Sequence, residues 1–318
     1  MRLFILFALL TALPGMAQEA YPTKNVRLLV AAAPGGNPDV LARMLAAKLT
    51  DSLGRPFIVE NMPGAGGVVA AEVLARAPAD GHTLMLGDSG ALAINVALNP
   101  NLTYHPLKDF TLITALASVP TVLVSSPSVP ASSLQEFVAL AKSRPGQLSY
   151  GSAGTGSVHH LTMAVFASRA GIELLHVPYK GGSALVAAAL SGEVQAGWSG
   201  IPNVAAHIRA GKLRVYAIST AKRSASLPDV PTAMELGIAD FDIATVIGLQ
   251  GAAGMARDTV VRLQSSVARA LRERDVAERM ANLGMERMEN GTEHYVRFVK
   301  EDMERYAAAV KAAGVKHD

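Results

Sequence analysis

The chain contains no cysteine, which excludes disulfides, thiolate zinc sites and lipid attachment at a mature N-terminal cysteine. Charge of one sign is also scarce. The 29 Lys and Arg residues stand against 26 Asp and Glu, and the cations are scattered instead of gathered into a stripe or tail, so nucleic acid is not an expected partner. None of the eight histidines forms an i, i+4 pair, so neither a metal site nor a cofactor is expected. Repeats of fixed period and low-complexity linkers are missing too, which argues against a solenoid or loosely tethered domains. Beyond the N-terminus there is no unbroken apolar stretch of membrane length.

The N-terminus itself is distinctive. Arg2 precedes the apolar run from Leu3 to Leu13, followed by Pro14, Gly15 and Ala17. This is the layout of a secretory signal peptide over residues 1–17, cleaved after Ala17. The run is too short to be a membrane anchor, which needs about 20 apolar residues. The remaining chain is expected in the periplasm.

A chain of 318 residues, 50% of them hydrophobic, exceeds a single compact core, so two lobes are expected. Short apolar or β-branched runs alternate with amphipathic segments of helical length, the pattern of an α/β fold around a mainly parallel sheet. Val26 to Ala32 reads as the first strand. Asn37 is a candidate N-cap with Pro38 at the first helical position, Val40, Leu41, Met44, Leu45 and Leu49 follow at helical spacing, and Gly54 is the stop. Later strands are expected at 58–61, 83–86, 112–116, 121–124, near Leu148, and at 174–178, 194–198, 215–219 and 243–249. Between and after them lie helices at 68–77, from Ser132 or Ser133 with a capping-box Gln or Glu three residues on, and at 157–170, 183–190, 203–210, 259–272, 275–283 and 292–312.

Glycine-rich turns fall where strands end and helices begin: Ala33 to Asn37, Pro63 to Gly67, Gly87 to Gly90, Gly151 to Ser157 and Lys180 to Ser183. At such turns the first helical N–H groups lack partners and the helix dipole is positive, which favours a carboxylate or phosphate. Parallel strands would gather the turns on one sheet edge, where open α/β folds bind ligands. Nucleotide fingerprints fail, because Val69 stands at the third glycine position after Gly64 and Gly66, and no Gly-Lys pair is followed by Ser or Thr. Gly87-Asp88-Ser89-Gly90 has the form of a serine-protease nucleophile segment, but its nearest upstream histidine, His82, is only seven residues away, so a turn is the better reading. His159 and His160 open a helix without a nucleophile beside them and read as packing or capping groups. The chain is therefore not expected to be an enzyme.

Over nearly the whole mature length the chain resembles the Bug family of tripartite tricarboxylate transporter substrate-binding proteins. The resemblance rests on Pro34 to Arg43, Val59 to Gly67, Asp80 to Leu84, Tyr150 to Ser157, His176 to Gly181 and Leu227 to Thr232, in order. It implies a type II periplasmic binding fold, with two lobes around a central cleft and two crossings between them, near Val119 and Ala239. Lobe 1 would comprise 18–119 and 240–318, and lobe 2 120–239. It also implies a small carboxylate ligand, held by main-chain amides of Gly35, Gly36 and Asn37 in one lobe and of Ser152, Gly154, Thr155, Gly156 and Ser157 in the other. Asp39, Asp88 and Ser89 are expected beside them. Lobe closure would capture the ligand for membrane permease subunits, with the receptor itself a monomer.

Departures from the family pattern fall on positions expected to face the ligand. Ala32 and Val246 replace a usual Phe and Trp, which suggests a cleft enlarged for a bulky or aromatic acid. Ser199 stands where Asp is common, and Asp88 where a small hydroxyl residue is common. Ala252 to Ala256 replaces a proline motif. Two other readings remain open: a sensory receptor serving a membrane kinase, and an exported hydrolase.

Overall fold

The computed structural model describes residues 21–288 and 291–315, so the signal segment at 1–17 lies outside the described residues. The chain opens with β1 (Val26–Val30), α1 (Asn37–Leu53), β2 (Phe57–Asn61), α2 (Val68–Ala75) and β3 (Thr83–Asp88), then a wide π-type turn, Gly90–Ile94, that continues into α3 (Asn95–Leu98). The short α4 (Pro106–Asp109) leads into β4 (Phe110–Ser125), followed by α5 (Leu134–Ser143), β5 (Ser149–Ser152), α6 (Val158–Ala170), β6 (Leu175–Pro178) and α7 (Gly182–Ser191). Then come β7 (Ala196–Gly200), α8 (Ile201–Arg209), β8 (Arg214–Ile218), β9 (Ala244–Ala252), α9 (Arg257–Ala270), α10 (Arg274–Asn282), β10 (Glu286–Arg287) and α11 (Thr292–Ala313).

Local signals explain most boundaries. The α1 stop is Gly54 in the left-handed conformation (φ 74°), its N–H bonded to the Thr50 carbonyl, a geometry open to glycine at little cost. At the start of α5, Ser133 Oγ accepts from Glu136 N at 3.1 Å while Ser132 donates to the Glu136 carboxylate, so both expected capping serines engage the same Glu. The start of α1 differs by one residue: its N-cap is Gly36, without a side-chain cap, and Asn37 is the first helical residue.

Strand order is β2-β1-β3-β9-β4-β7-β5-β6, with β8 and β10 also on β4. The flanks are parallel (β2, β1, β3 and β6, β5, β7), but β9 is antiparallel to β3 and β4 is antiparallel to β9, β7, β8 and β10. The sheet is therefore mixed, because the strands that link the two halves run against their neighbours. What reads in sequence as two runs around Pro120 is one strand. β4 pairs with β9 from Phe110 to Pro120, then with β7 and β8 from Thr121 and Val122. Pro120 sits at this change of partner, where the missing N–H removes no interior ladder bond.

Each half buries its sheet on both faces. In β1, Val26, Leu28 and Val30 join one core with α1, α9 and α10, whereas Leu29 joins another with α2 and the 90–94 turn. In β4, Val122 and Val124 pack with α7 and α8, and Leu123 packs with α5 and α6. Period-two alternation thus sends neighbouring side chains into opposite layers. Helix α11 spans two of these cores: Tyr295 and Val299 pack in the first half, and Tyr306 with Trp198's neighbours in the second. Trp198 itself is fully buried against Phe166 and Phe241, as its apolar strand implies.

Candidate functional site: the cleft between the lobes

A cavity of about 620 Å³ lies between the two halves. One wall comes from Ala31 after β1, Ala65 and Gly66 before α2, and Asp88 and Gly90 after β3; the other from Ala153 and residues 155–159 at the start of α6, with Thr245 of β9 between them. A second concavity, about 690 Å³, lies between α9 and the start of α11. None of the glycine turns borders it, so the interlobe cavity is the better candidate.

The first wall is tied together by Asn95, whose amide donates to the carbonyls of Ala65 (3.2 Å), Gly66 (2.9 Å) and Gly90 (2.9 Å). Gly66 is left-handed (φ 61°), and a Cβ there would come within 2.8 Å of Asn95 Nδ2, so the turn and the amide fit only with glycine. The Asp88 carboxylate lies in this wall and accepts from Gly90 N at 2.9 Å. Burial pushes its pKa up, with the amides of Gly90 and Ala91 opposing. The group is thus already committed to its own turn.

The second wall is braced by hydroxyl and imidazole groups. Ser152 Oγ meets His176 Nε2 at 2.7 Å and also bonds the main chain of Gly154. Ser157 caps α6, accepting from His160 N at 3.3 Å, while His160 Nδ1 accepts from Gly156 N at 3.0 Å. The His160 and His176 rings stack at 3.8 Å. Burial, with His176 nearby, lowers the His160 pKa to about 4, which keeps its Nδ1 a lone-pair acceptor. His160 therefore caps the loop, as its position implies.

The turn before α1 is organised by Asp39, which is buried and accepts from Gly35 N (2.9 Å) and Asn61 Nδ2 (2.9 Å) and pairs with Arg43 (3.0 Å). Burial alone would raise this carboxyl, but the bonds from Arg43, Gly35 and Asn61 outweigh it and hold the pKa below its ordinary value.

Among the sequence-derived site residues, Asp88, Thr155, Gly156 and Ser157 border the cavity. Gly35, Gly36, Asn37, Asp39, Ser152 and Gly154 are not among the residues that line it. Ser199 is buried on β7 with Oγ unpaired. Ser89, also buried, accepts from Val246 N at 3.2 Å. Ala32 and Val246 miss the wall by one residue each. Ala31 and Thr245 border the cavity instead, because neighbours on an extended chain face opposite sides. Val246 packs beneath with Leu92, Tyr295 and Phe298, leaving about 10 Å³, so the loss of an aromatic side chain there does not enlarge the cleft. Asn95, Asn99 and His159 border the cavity without having been expected to. An Asn inside a helix carries no local signal, and only the doubled histidine marked position 159.

Residues 41–315 match the family model of the tripartite tricarboxylate transporter family receptor. The chain belongs to this family. BugT of Bordetella pertussis is 34% identical over 99% of this chain and 98% of its own length. Among solved structures, Rpa4515 of R. palustris with adipate superposes with a TM-score of 0.84 at 31% identity, covering 93% of this chain and 99% of that one. MatC from Rhodopseudomonas palustris with bound malate gives 0.80 at 33% identity, covering 91% and 100%. The receptor accordingly has the two-lobed periplasmic binding fold with a cleft between the lobes. Among the described residues no helix is long and apolar enough to cross a membrane.

Proposed function

We propose that this receptor is exported under the direction of residues 1–17, binds a small carboxylate in the interlobe cleft by lobe closure, and delivers it as a monomer to membrane permease subunits. The lobes would divide as 18–119 with 240–318, and 120–239. The observation that carries this reading is the chemistry of the cleft. Its described wall includes glycine turns and the capped start of α6 but neither Lys nor Arg, so the groups suited to an anion are main-chain amides and the α6 dipole. Gly35 N and Gly36 N are bonded to Asp39 and the Ala33 carbonyl, so the opposite lobe would offer Asn37 N and the positive end of α1, which opens without a side-chain cap. An anion bridging both lobes stabilises the closed form by contacts that the open form lacks. Similar solved structures that hold adipate and malate support a carboxylate.

A hydrolase has less support. Ser89 is buried, accepts from Val246 N and bonds the carboxylate of Asp302, while His82 Nε2 accepts from Thr23 N, so no imidazole stands beside the serine as a hydrolase triad requires. Titration calorimetry of the mature chain with mono-, di- and tricarboxylates tests the proposal. A saturable one-to-one heat with at least one acid is expected. No heat with any of them, together with turnover of ester substrates, would overturn it.

A further inference from the structure

One polar group of the cleft wall stands unpaired, the imidazole of His159. His159 borders the cavity at the second position beyond the Ser157 cap. Its neighbour His160 is fully engaged, accepting from Gly156 N and stacking on His176. His159 has none of this. The residue is half-buried, yet its Nδ1 is completely enclosed without a hydrogen-bond partner. Leu98, Val158 and Val315 add apolar surface to the same cavity.

This asymmetry favours one form of the ring. Nδ1 is unpaired in either neutral tautomer, but only the tautomer with its proton on Nε2 can donate that proton outward to a bound group, whereas a proton on Nδ1 would be an enclosed N–H with no acceptor. Adding a second proton would place a charged N–H in the same enclosed position. Burial lowers the His159 pKa to about 4, with no neighbouring charge contributing. The other ionisable groups of the cleft are occupied: Asp88 bonds the Gly90 amide, and His160 and His176 stack together behind it.

From this geometry we infer that His159 is a ligand-contacting, specificity-determining residue, presenting a neutral Nε2–H donor to a second polar acceptor on the bound acid. The inference rests on the carboxylate-receptor reading and narrows it to acids with two acceptor groups, one for the main-chain amides and one for the imidazole. A neutral donor suits a cleft without cations. It avoids the desolvation of a buried ammonium or guanidinium, and the apolar surroundings strengthen an uncharged hydrogen bond.

The test uses the mature full chain and dicarboxylates from malonate to suberate, with malate and the matching monocarboxylates, screened by thermal shift and followed by calorimetry of each hit. His159→Leu removes the donor, whereas His159→Gln restores an N–H at similar reach. We expect the leucine variant to bind the best dicarboxylate about tenfold more weakly, the glutamine variant to recover most of that loss, and neither to change monocarboxylate binding. Long-range ¹H–¹⁵N spectra should show the His159 Nε2–H tautomer in the free protein and a shift of that nitrogen on ligand addition. Unchanged dicarboxylate affinity in His159→Leu would overturn the inference and leave the receptor reading standing. Equal losses in both variants, for mono- and dicarboxylates alike, would also overturn it by assigning His159 a structural role. If no dicarboxylate in the panel binds the wild-type chain, the narrowing to two-acceptor acids is overturned and the inference with it, while the receptor reading is decided separately by the calorimetry with mono- and tricarboxylates.

Discussion

Asp39 shows how one buried side chain can shape a binding turn without touching the cavity. Its carboxylate holds Gly35 N and Asn61 and pairs with Arg43. Arg43 is half exposed at 55%, so solvent screens the ion pair and the main-chain and amide bonds carry most of the effect. Asp39→Asn turns an NH₂ group towards one of these donors, and we expect it to lower stability at neutral pH by about 1–3 kcal/mol. Because the folded pKa is depressed, this stabilisation is fully present above the unfolded value of about 3.9 and is lost as pH falls through the lower folded value. Urea melts from pH 7 down to pH 3 should therefore show the gap between wild type and variant closing only below about pH 4. A gap that is constant with pH would contradict the role assigned to the charge.

At the scale of elements, the start of α6 is where chain and cleft are most tightly coupled. Gly156 is left-handed (φ 73°), and a Cβ there would meet Leu98 Cδ1 at 2.6 Å. Gly156→Ala should cost about 1–2 kcal/mol from backbone strain alone. Because Leu98 can turn aside, the contact should cost less than the strain. Ligand affinity should fall more than stability, since the same loop forms the cleft wall; thermal melts and calorimetry on one preparation separate the two. Elements such as α1, α5 and α6 were readable from glycine stops, Pro38 and capping serines. The facing of single residues was not. The sequence points to Ala32 and Val246 at the ligand, whereas Ala31 and Thr245 border the cavity, because a pattern apolar on both sides of a strand gives no parity to choose between faces. Asn95 was illegible for a different reason: its three carbonyl partners lie 5, 29 and 30 residues away, and no local pattern encodes such separations.

For the whole molecule, α/β alternation gave the layered class and the family resemblance implied two lobes with crossings near Val119 and Ala239, but the mainly parallel sheet read from the alternation is mixed, because β9 and β4 run against their neighbours. β4 and β9 look like ordinary buried strands until their partners are known, and only then does Pro120 mark the change from one half to the other. Helix α11 packs on cores in both halves, so the proposed lobe closure would have to be accommodated along its length or at its contacts. The central claim is that a carboxylate lies between the lobes, held by main-chain amides. A crystal structure with the tightest-binding acid from the screen tests it most directly. We predict a carboxylate within hydrogen-bond distance of N–H groups from both the Gly35 to Asn37 turn and the Ala153 to Ser157 turn. A ligand lying outside the cleft, for example against Arg257 and Arg297 between α9 and α11, would contradict the account.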